Sequence, residues 1–313
     1  MNNRNLLIIF IAGLALYFGG QYWRSHRSSS FDPLIVAVDT TKVDRIQFVT
    51  AGSPQDMYEL NHTPEGWRAT KGTVVISPKP DVLSAIFKSL AQLNANRIVT
   101  SDKAKYLEYE LEADKAGRVT AWQGNKKLAD IFVGGFRFDQ ATRTASSFVR
   151  LADHDDVYEV EGFSGMGLKA RFDQLRDKTL INVAAADLTA LEWVGPSGQK
   201  KTLTKEGQAW YFAGMQAVDS VKFVNYLNQL IGTNGVYFSD LTSVQGYTLA
   251  EQLTLQGNQL PSPITITAYD SRDTLKPFLI HSSVNPDAVF TSDTVGIYKR
   301  IFGDLRQFWP DGK

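Results

Sequence analysis

The strongest constraint on the fold is a short pattern of apolar residues followed by arginine, which occurs twice in the chain. The stretch 168–181 reads LKARFDQLRDKTLI, and its Leu168, Phe172 and Leu175 have the spacing of the apolar face of a short helix. The pattern returns 130 residues later, at Tyr298, Phe302, Leu305 and Arg306. Such a recurrence predicts a chain built from two copies of one module, with the stretch 168–181 as the joint between them.

Other apolar and aromatic positions recur in the same order on the two sides of this joint. The matched positions are Val43, Ile46 and Phe48 with Leu188, Leu191 and Trp193; Trp67 with Trp210; Ile86, Phe87, Leu90 and Leu93 with Phe223, Val224, Leu227 and Leu230; Ala121-Trp122 and Leu128 with Ala268-Tyr269 and Leu275; and Val157-Tyr158 with Val289-Phe290. The separation within these pairs falls sharply after Val133. We therefore expect the second copy to lack a counterpart of the strand predicted at Ser147–Leu151.

Each copy has the pattern of an antiparallel meander, one amphipathic helix and further strands. In the first copy, β-like runs alternate with turns rich in glycine and proline, and Pro80-Asp81 then begins a helix. This helix is predicted at Asp81–Leu93, and its partner near Ser220–Ile231. Because a sheet with one apolar face needs a cover, we expect each helix to cover a sheet. We expect Trp67 and Trp210 to fill the seam between the two layers.

The N-terminal residues have the composition of a membrane segment. Leu6–Trp23 is uncharged and apolar, and it is near the lower limit of about 17–25 residues for a membrane span. Tyr17, Tyr22 and Trp23 cluster where an aromatic belt would lie. Bulky residues after the apolar core disfavour cleavage, so an uncleaved signal-anchor is favoured over a cleaved signal peptide. A buried core helix is the third interpretation, and it fits poorly with the terminal position.

The predicted fold class is α+β, with an N-terminal transmembrane helix followed by two tandem repeats, each a mainly antiparallel sheet covered by amphipathic helices. The predicted boundaries are 1–24 for the anchor, 25–40 for a polar linker, 41–181 for repeat 1 and 182–313 for repeat 2. Positive charges flank the apolar segment on both sides, so charge alone does not fix its orientation.

The composition excludes several functional classes. Lys+Arg and Asp+Glu are 33 each, and this balance argues against a nucleic-acid binder, which would carry a basic excess. The chain has no cysteine, which excludes thiolate metal sites, cysteine nucleophiles and disulfides. Hydrophobic residues make up 43% of the 313 residues, so each half can bury a core of its own.

Three local motifs resemble binding sites, and each has a simpler structural interpretation. Asp153-His154-Asp155-Asp156 offers the oxygen ligands that Ca²⁺ prefers but lacks EF-hand spacing, so a polar hairpin turn is favoured. Val133-Gly134-Gly135-Phe136-Arg137 lacks the helix and lysine of a phosphate-binding loop, so a turn after a strand is favoured. Asn61-His62-Thr63 matches a glycosylation sequon and is interpreted as a turn.

No reaction is specified by the remaining candidates. The four histidines are scattered without zinc-site spacing, and structural or solvent-exposed roles are favoured for them: His26, His62, His154 and His281. The sequence shows no Ser–His–Asp order, pair of catalytic acids or dinucleotide fingerprint. We therefore assign no catalytic, cofactor-binding or metal-ligating residues, and we expect neither enzyme activity nor a cofactor.

The order of motifs resembles a family of bacterial proteins known by the domain label DUF4340. The matching pieces are the N-terminal anchor, Val43-Asp44-Arg45-Ile46, Gly66-Trp67-Arg68, the helix led by Pro80-Asp81, Val133-Gly134-Gly135, Val157-Tyr158 and the run from Leu175 to Leu180. The resemblance extends from Val43 to Leu180, with a weaker echo to Trp309. The second copy departs from it, because Gln307-Phe308-Trp309 follow Leu305-Arg306 where the first copy has Asp177-Lys178-Thr179.

The resemblance implies a single-pass protein of the inner (cytoplasmic) membrane whose globular part is periplasmic. Such proteins often accompany ABC-type transport systems of the gliding-motility kind, which implies an accessory role in transport or envelope assembly. The expected partners are the lipid bilayer, through Leu6–Trp23, and envelope or ABC-transporter proteins.

Free sheet edges would suit strand addition by such a partner. The alternatives are an envelope hydrolase with carboxylates between the repeats, and a carrier of small ligands or lipids.

Overall fold

The structure is a computed structural model, and it describes residues 32–161, 164–213 and 216–309. The predicted anchor Leu6–Trp23 lies outside the described residues. Among the residues that are described, no helix combines the length and apolar character needed to cross a bilayer. Part of the stretch predicted as a linker forms a short strand, Leu34–Val36.

The first of two antiparallel sheets contains ten strands. Their bounds are β1 Leu34–Val36, β2 Arg45–Thr50, β3 Ser53–Thr63, β4 Gly66–Lys71, β5 Val74–Ile76, β6 Leu93–Thr100, β7 Gly117–Gln123, β8 Lys126–Asp139, β9 Thr144–Leu151 and β10 Val157–Glu161. They lie in the order β1-β6-β10-β9-β8-β7-β2-β3-β4-β5. Helix α1, Pro80–Ala91, connects β5 to β6.

The second sheet contains nine strands. Their bounds are β11 Leu188–Val194, β12 Lys200–Glu206, β13 Ala209–Phe212, β14 Gln216–Ala217, β15 Tyr237–Phe238, β16 Thr248–Gly257, β17 Ile264–Asp270, β18 Phe278–Ser282 and β19 Asn285–Ser292. They lie in the order β14-β13-β12-β11-β16-β17-β18-β19-β15. Two further helices are described, α2 at Phe172–Leu175 and α3 at Ser220–Ile231. The prediction of mainly antiparallel sheets is confirmed, and few helices accompany them among the described residues.

The two sheets share one strand order. In each sheet the strand after the long helix pairs with the last strand, β6 with β10 and β15 with β19. From that pair the orders continue as β9-β8-β7-β2-β3-β4-β5 and β18-β17-β16-β11-β12-β13-β14. We expected the second copy to lack a strand that corresponds to Ser147–Leu151. This expectation is wrong, because β18 lies next to β19 as β9 lies next to β10. The strand that corresponds to β7 is β16, which the sequence analysis overlooked. The match of Ala121-Trp122, on β7, with Ala268-Tyr269, on β17, is therefore also wrong.

Helix α3 covers the second sheet as predicted. Asp219 caps it, because its carboxylate accepts from the backbone N–H groups of Val221 and Lys222. Its buried side chains join one apolar core with the strands: Phe223, Tyr226, Leu227 and Leu230 from the helix, and Leu191, Leu203, Leu253 and Ile266 from the sheet. Each fully buried side chain of this size contributes about 1.5–3 kcal/mol. Trp210 packs edge-on against Phe223, with ring centroids 5.0 Å apart, and fills the expected seam.

Helix α1 ends earlier than predicted, and Trp67 is not a core residue. Leu93 lies on β6 rather than on the helix. Ile86 and Leu90 are buried on the apolar face of the helix, as its periodicity predicts. Trp67 is only half-buried, with its ring 5.3 Å from that of His62. The expectation of a buried seam residue therefore holds for Trp210 and is wrong for Trp67.

The joint consists of two short helical pieces rather than one helix. A 3-10 turn at Met166–Lys169 precedes α2, and Leu168, Phe172 and Leu175 are all buried, as their spacing predicts. The C-terminal counterpart is also irregular, with a π-helical turn at Lys299–Gly303 and a 3-10 turn at Asp304–Phe308. Phe302 and Leu305 are buried like Phe172 and Leu175, whereas Tyr298 is only partly buried and the helix type differs between the two copies.

The described chain forms two compact units. The first contains the residues up to Val43, Val49–Gln55 and Ile86–Lys169, and the second contains Asp44–Phe48, Asp56–Ala85 and the residues from Ala170 onward. Neither unit is a single continuous stretch of sequence, whereas the predicted domains 41–181 and 182–313 are continuous. The predicted domains remain a prediction.

Candidate functional site

The most unusual polar residue of the second unit is Glu251 on β16. Glu251, Leu253 and Leu255 alternate along the strand and are all buried, with Glu251 only 2% exposed. A carboxylate in such an apolar row costs several kcal/mol unless it is paired and hydrogen-bonded. The fold must therefore supply donors at this point.

Three side chains from other elements supply these donors. The indole Nε1–H of Trp193, on β11, donates to Glu251 Oε2 at 2.6 Å. The Tyr298 hydroxyl and the Arg306 guanidinium both donate to Glu251 Oε1. Arg306 Nη2 also donates to the Tyr298 oxygen at 3.0 Å. We call Trp193, Glu251, Tyr298 and Arg306 the glutamate cluster.

The surroundings of the glutamate cluster alter the protonation of its members. Burial, and then the hydrogen bond to Glu251, raise the pKa of Tyr298 to about 12. Burial alone would lower the pKa of Arg306, but attraction to Glu251 and Tyr298 raises it above its ordinary value. Phe278 stacks on Tyr298 with ring centroids 3.5 Å apart and ring planes within 6° of parallel. The cluster is therefore a charge-balanced group held in one arrangement by packing.

A groove of about 1010 Å³ opens beside the glutamate cluster. Aromatic residues and cations line it: Trp193, Phe278, Tyr298, Lys201 and Arg306. Lys201 Nζ lies 5.9 Å from the ring centroid of Trp193 and 5.3 Å from that of Trp309. Such a lining suits contact with aromatic, carbonyl and carboxylate groups of a ligand.

The two carboxylates of this groove are already engaged in structural bonds. Both oxygens of Glu251 accept hydrogen bonds within the glutamate cluster. Asp270 Oδ1 accepts from the backbone N–H of Arg272 at 2.9 Å. Acid–base catalysis needs a carboxylate within reach of a substrate proton. Both oxygens of Glu251 are therefore occupied, whereas Asp270 is exposed and, among the described residues, only its Oδ1 accepts a hydrogen bond.

A second group of paired charges lies in the first unit. Arg118 Nε and Nη2 donate to the two oxygens of Asp130 at 2.7 Å each, and Lys127 Nζ approaches Asp130 Oδ2 at 2.6 Å. Burial alone would raise the pKa of Asp130, but these donors lower it below its ordinary value. A cavity of about 560 Å³ adjoins this group. Asp130 is thus also fixed as a paired carboxylate.

The structure places the acidic motif Asp153-His154-Asp155-Asp156 in the connection between β9 and β10, as predicted. Its carboxylates point to different partners, since Asp155 pairs with Lys103 at 3.0 Å and Asp156 accepts from the hydroxyl of Ser101. Across residues 32–161, 164–213 and 216–309, no group of three potential ligands could hold a metal ion.

The predicted turn at Gly134-Gly135 is wrong, because β8 continues through both glycines to Asp139. Its pairing with β9 shifts register between Val133 and Phe136, which marks a bulge. A Cβ on Gly134 would lie 2.2 Å from the carbonyl oxygen of Tyr109. Glycine at position 134 therefore permits a close backbone approach within the strand.

The sequon is placed differently from its prediction as a turn. Asn61-His62-Thr63 forms the end of β3 rather than a turn. His281 lies on β18, with its Nε2 3.1 Å from the Pro286 carbonyl oxygen. His154 lies in the loop between β9 and β10, and His26 lies outside the described residues.

Sequence reasoning missed the glutamate cluster. Arg306 was recognised only as part of a repeated pattern, and Glu251 was not considered. The partners of Glu251 lie 47 to 58 residues away in the chain, so no local motif signals them. A charged residue in the alternating row Glu251, Leu253, Leu255 was the one available signal.

Comparison with known protein families gives a match over more than half of the chain. The family model described as Domain of unknown function (DUF4340) matches residues 67–250. The match begins on β4, after Val43 where the expected resemblance starts, and it crosses the joint and continues past Leu180 to end on β16. No curated protein and no solved structure matches the chain. Because the family model covers more than half of the chain, the protein belongs to the DUF4340 family.

Proposed function

We propose that this protein is a non-enzymatic binding module, anchored in the inner membrane by Leu6–Trp23 with its globular part in the periplasm. Its role is accessory to an ABC-type transport or envelope-assembly system. The apolar N-terminal segment supports the anchor. The shared strand order of the two sheets supports an origin as two tandem repeats of one module.

The groove beside the glutamate cluster is the binding site in this proposal. Its occupant is an extended segment of a partner protein, whose side chains contact the rings of Trp193 and Phe278 and whose carbonyl groups face Lys201 and Arg306. The observation that carries the proposal is the complete engagement of Glu251 by internal donors. This engagement fixes the wall of the groove at Glu251 and occupies both oxygens of that buried carboxylate.

Strand addition at a sheet edge is the less favoured mode of binding. The four edge strands of the described sheets are β1, β5, β14 and β15, and each has only two or three residues. Short edges are a common protection against pairing with other chains, and they offer few backbone bonds. We therefore favour binding of the partner in the groove over strand addition at a free sheet edge.

Photo-crosslinking in native membranes tests this function. A photoreactive amino acid replaces Thr248, an exposed residue of β16 that lines the groove. The matched control is Gln256, which is exposed on the same strand but is not part of the groove lining. We expect a discrete envelope-protein adduct from position 248 and none from position 256.

Two results would contradict the proposal. Equal adduct patterns at the two positions would show that the groove has no dedicated partner. Turnover of a polysaccharide or peptide by the purified full-length chain would favour the hydrolase instead, provided that a variant carrying Glu251→Gln abolished it.

A further inference from the structure

Arg176, at the joint, is a buried cation whose donors are mostly unused. Its side chain is 2% exposed. Nη2 donates one long hydrogen bond, 3.3 Å, to the Ser239 carbonyl oxygen. Among the described residues, Nε and Nη1 have no hydrogen-bond partner. A guanidinium carries five N–H donors, so this side chain is far from satisfied.

The contacts around Arg176 compensate its charge only in part. The ring of Phe238 lies 3.8 Å from the guanidinium carbon, a cation–π contact. The nearest carboxylate oxygen, Asp173 Oδ1, lies 3.6 Å from Nη1, and the side chain of Asp173 is mostly exposed. Burial lowers the pKa of Arg176, although the neighbouring carboxylates oppose this effect. A buried cation in this state gains strongly from an additional acceptor.

In the second copy, the arginine at the corresponding position has a buried carboxylate as its partner. Arg306 occupies the same place in the repeated pattern, 130 residues later. Its guanidinium donates to the buried carboxylate of Glu251. No described residue supplies Arg176 with a comparable buried carboxylate. An oxyanion is therefore the chemical group that this arginine lacks.

A cavity of about 400 Å³ has Arg176 in its lining. Lys79 and Asn285 also line it, and the Asn285 Nδ2 group is already bonded to the Asp177 carbonyl oxygen at 2.8 Å. Asp177 uses Oδ1 to accept from the amide and the hydroxyl of Thr179, at 2.9 and 2.8 Å. Asp287 is exposed in the same lining. The volume suits a small ligand.

We propose that this cavity binds a small ligand through a carboxylate or phosphate group, with Arg176 as the principal donor and Lys79 as a second cation. The anion completes the hydrogen bonding of the guanidinium, as Glu251 does for Arg306. Asp287 opposes anion entry and favours ligands that also carry a positive charge.

Arginine NMR of the full-length chain tests the site directly. The Nε–H signals of ¹⁵N-arginine-labelled protein are followed during separate titrations with acetate and inorganic phosphate. We expect one arginine signal to shift saturably, and Arg176→Gln to remove that response with at least a tenfold loss of affinity. Arg300→Gln, which removes an exposed arginine of the same unit, leaves the response unchanged.

If Arg176→Gln does not fold, the anion affinity of an Asp287→Asn variant tests the proposal instead. Removing this exposed negative charge should tighten anion binding severalfold, and added NaCl should weaken it. Saturation by phosphate alone supports the site and identifies a phosphorylated ligand, whereas saturation by acetate alone supports it and identifies a carboxylate. Absence of saturation by either anion, or identical affinities in the wild-type chain and Asp287→Asn, would overturn the proposal.

Discussion

At the scale of single residues, the pairing of Glu251 with three donors from distant elements is the defining feature of the second unit. The cost of burying its charge is offset by Arg306, and its remaining acceptor capacity is used by Trp193 and Tyr298. These four residues tie the irregular C-terminal turns to strands β11 and β16. Their role could not be predicted from the sequence, because it depends on contacts between positions about 50 residues apart.

Removing the charge of Glu251 should destabilise the protein. Glu251→Gln leaves Arg306 without its counter-ion and places an amide group where donors converge. We expect a loss of about 2 kcal/mol in the free energy of unfolding, less than for a fully buried pair because Arg306 is partly exposed. Urea titration measures this loss. Glu206→Gln, an exposed change on β12, serves as the control and should alter stability by less than about 0.5 kcal/mol.

Tyr298 should give the protein a pH-dependent stability in the alkaline range. Its pKa rises from 10.0 to about 12 on folding, so the stabilisation is fully present below pH 10 and is lost as the pH rises toward 12. Because Tyr298 is partly exposed, we expect only about 1–2 kcal/mol from this group. Tyr298→Phe should lose less stability than the wild-type chain between these pH values in chemical denaturation. Equal losses would show that Tyr298 titrates normally.

At the scale of elements, periodicity predicted the helices better than the strands. Helix α3 was predicted with the bounds it has, because Asp219 is a strong cap and its apolar residues repeat every three or four positions. Strand β16 was overlooked, since Glu251 interrupts its apolar alternation. Trp67 was expected in the core as the counterpart of Trp210. The expectation failed because a strand pattern predicts which residues share a face of the sheet but not how deeply each residue is buried.

The two tryptophans that follow equivalent turns should differ in their contribution to stability. Trp210 is 2% exposed and contacts Phe223, so Trp210→Ala should cost about 3–5 kcal/mol. Trp67 is half-buried, and Trp67→Ala should cost roughly half as much, in proportion to the apolar area lost. Thermal and urea unfolding of the two variants give the comparison. Equal costs would mean that Trp67 belongs to the core after all.

The bulge in β8 should distinguish two adjacent glycines. Gly134→Ala brings a Cβ to 2.2 Å from a backbone oxygen, which forces the strand to shift and should cost about 1–3 kcal/mol. At Gly135 the nearest atoms belong to the flexible side chain of Glu110, at 3.4 Å, so Gly135→Ala is the matched control. Stability measurements on both variants should separate them. A stable Gly134→Ala protein would argue against the close approach of Tyr109.

At the scale of the whole molecule, the two sheets repeat one connectivity. The recurrence at 168–181 and 298–306 predicted two related halves, and the shared strand order of the two sheets agrees with that prediction. It could not assign every strand, because loop lengths differ between the halves and shift the sequence separation of matched positions. The short edge strands and the fully paired Glu251 are our grounds for proposing the groove as a binding site, and the unused donors of Arg176 are our grounds for proposing the cavity.

Engineered cysteine pairs test the shared strand order most directly, because the chain has no cysteine of its own. Arg97 lies opposite Glu159 on β6 and β10, and Tyr237 lies opposite Thr291 on β15 and β19. Directly opposed residues are close enough for a disulfide after mild oxidation. We expect Arg97→Cys/Glu159→Cys and Tyr237→Cys/Thr291→Cys each to crosslink within one chain, and Tyr237→Cys/Asp287→Cys, offset by four residues, to stay reduced. Crosslinking in only one of the two sheets, or in the offset pair, would contradict the common strand order.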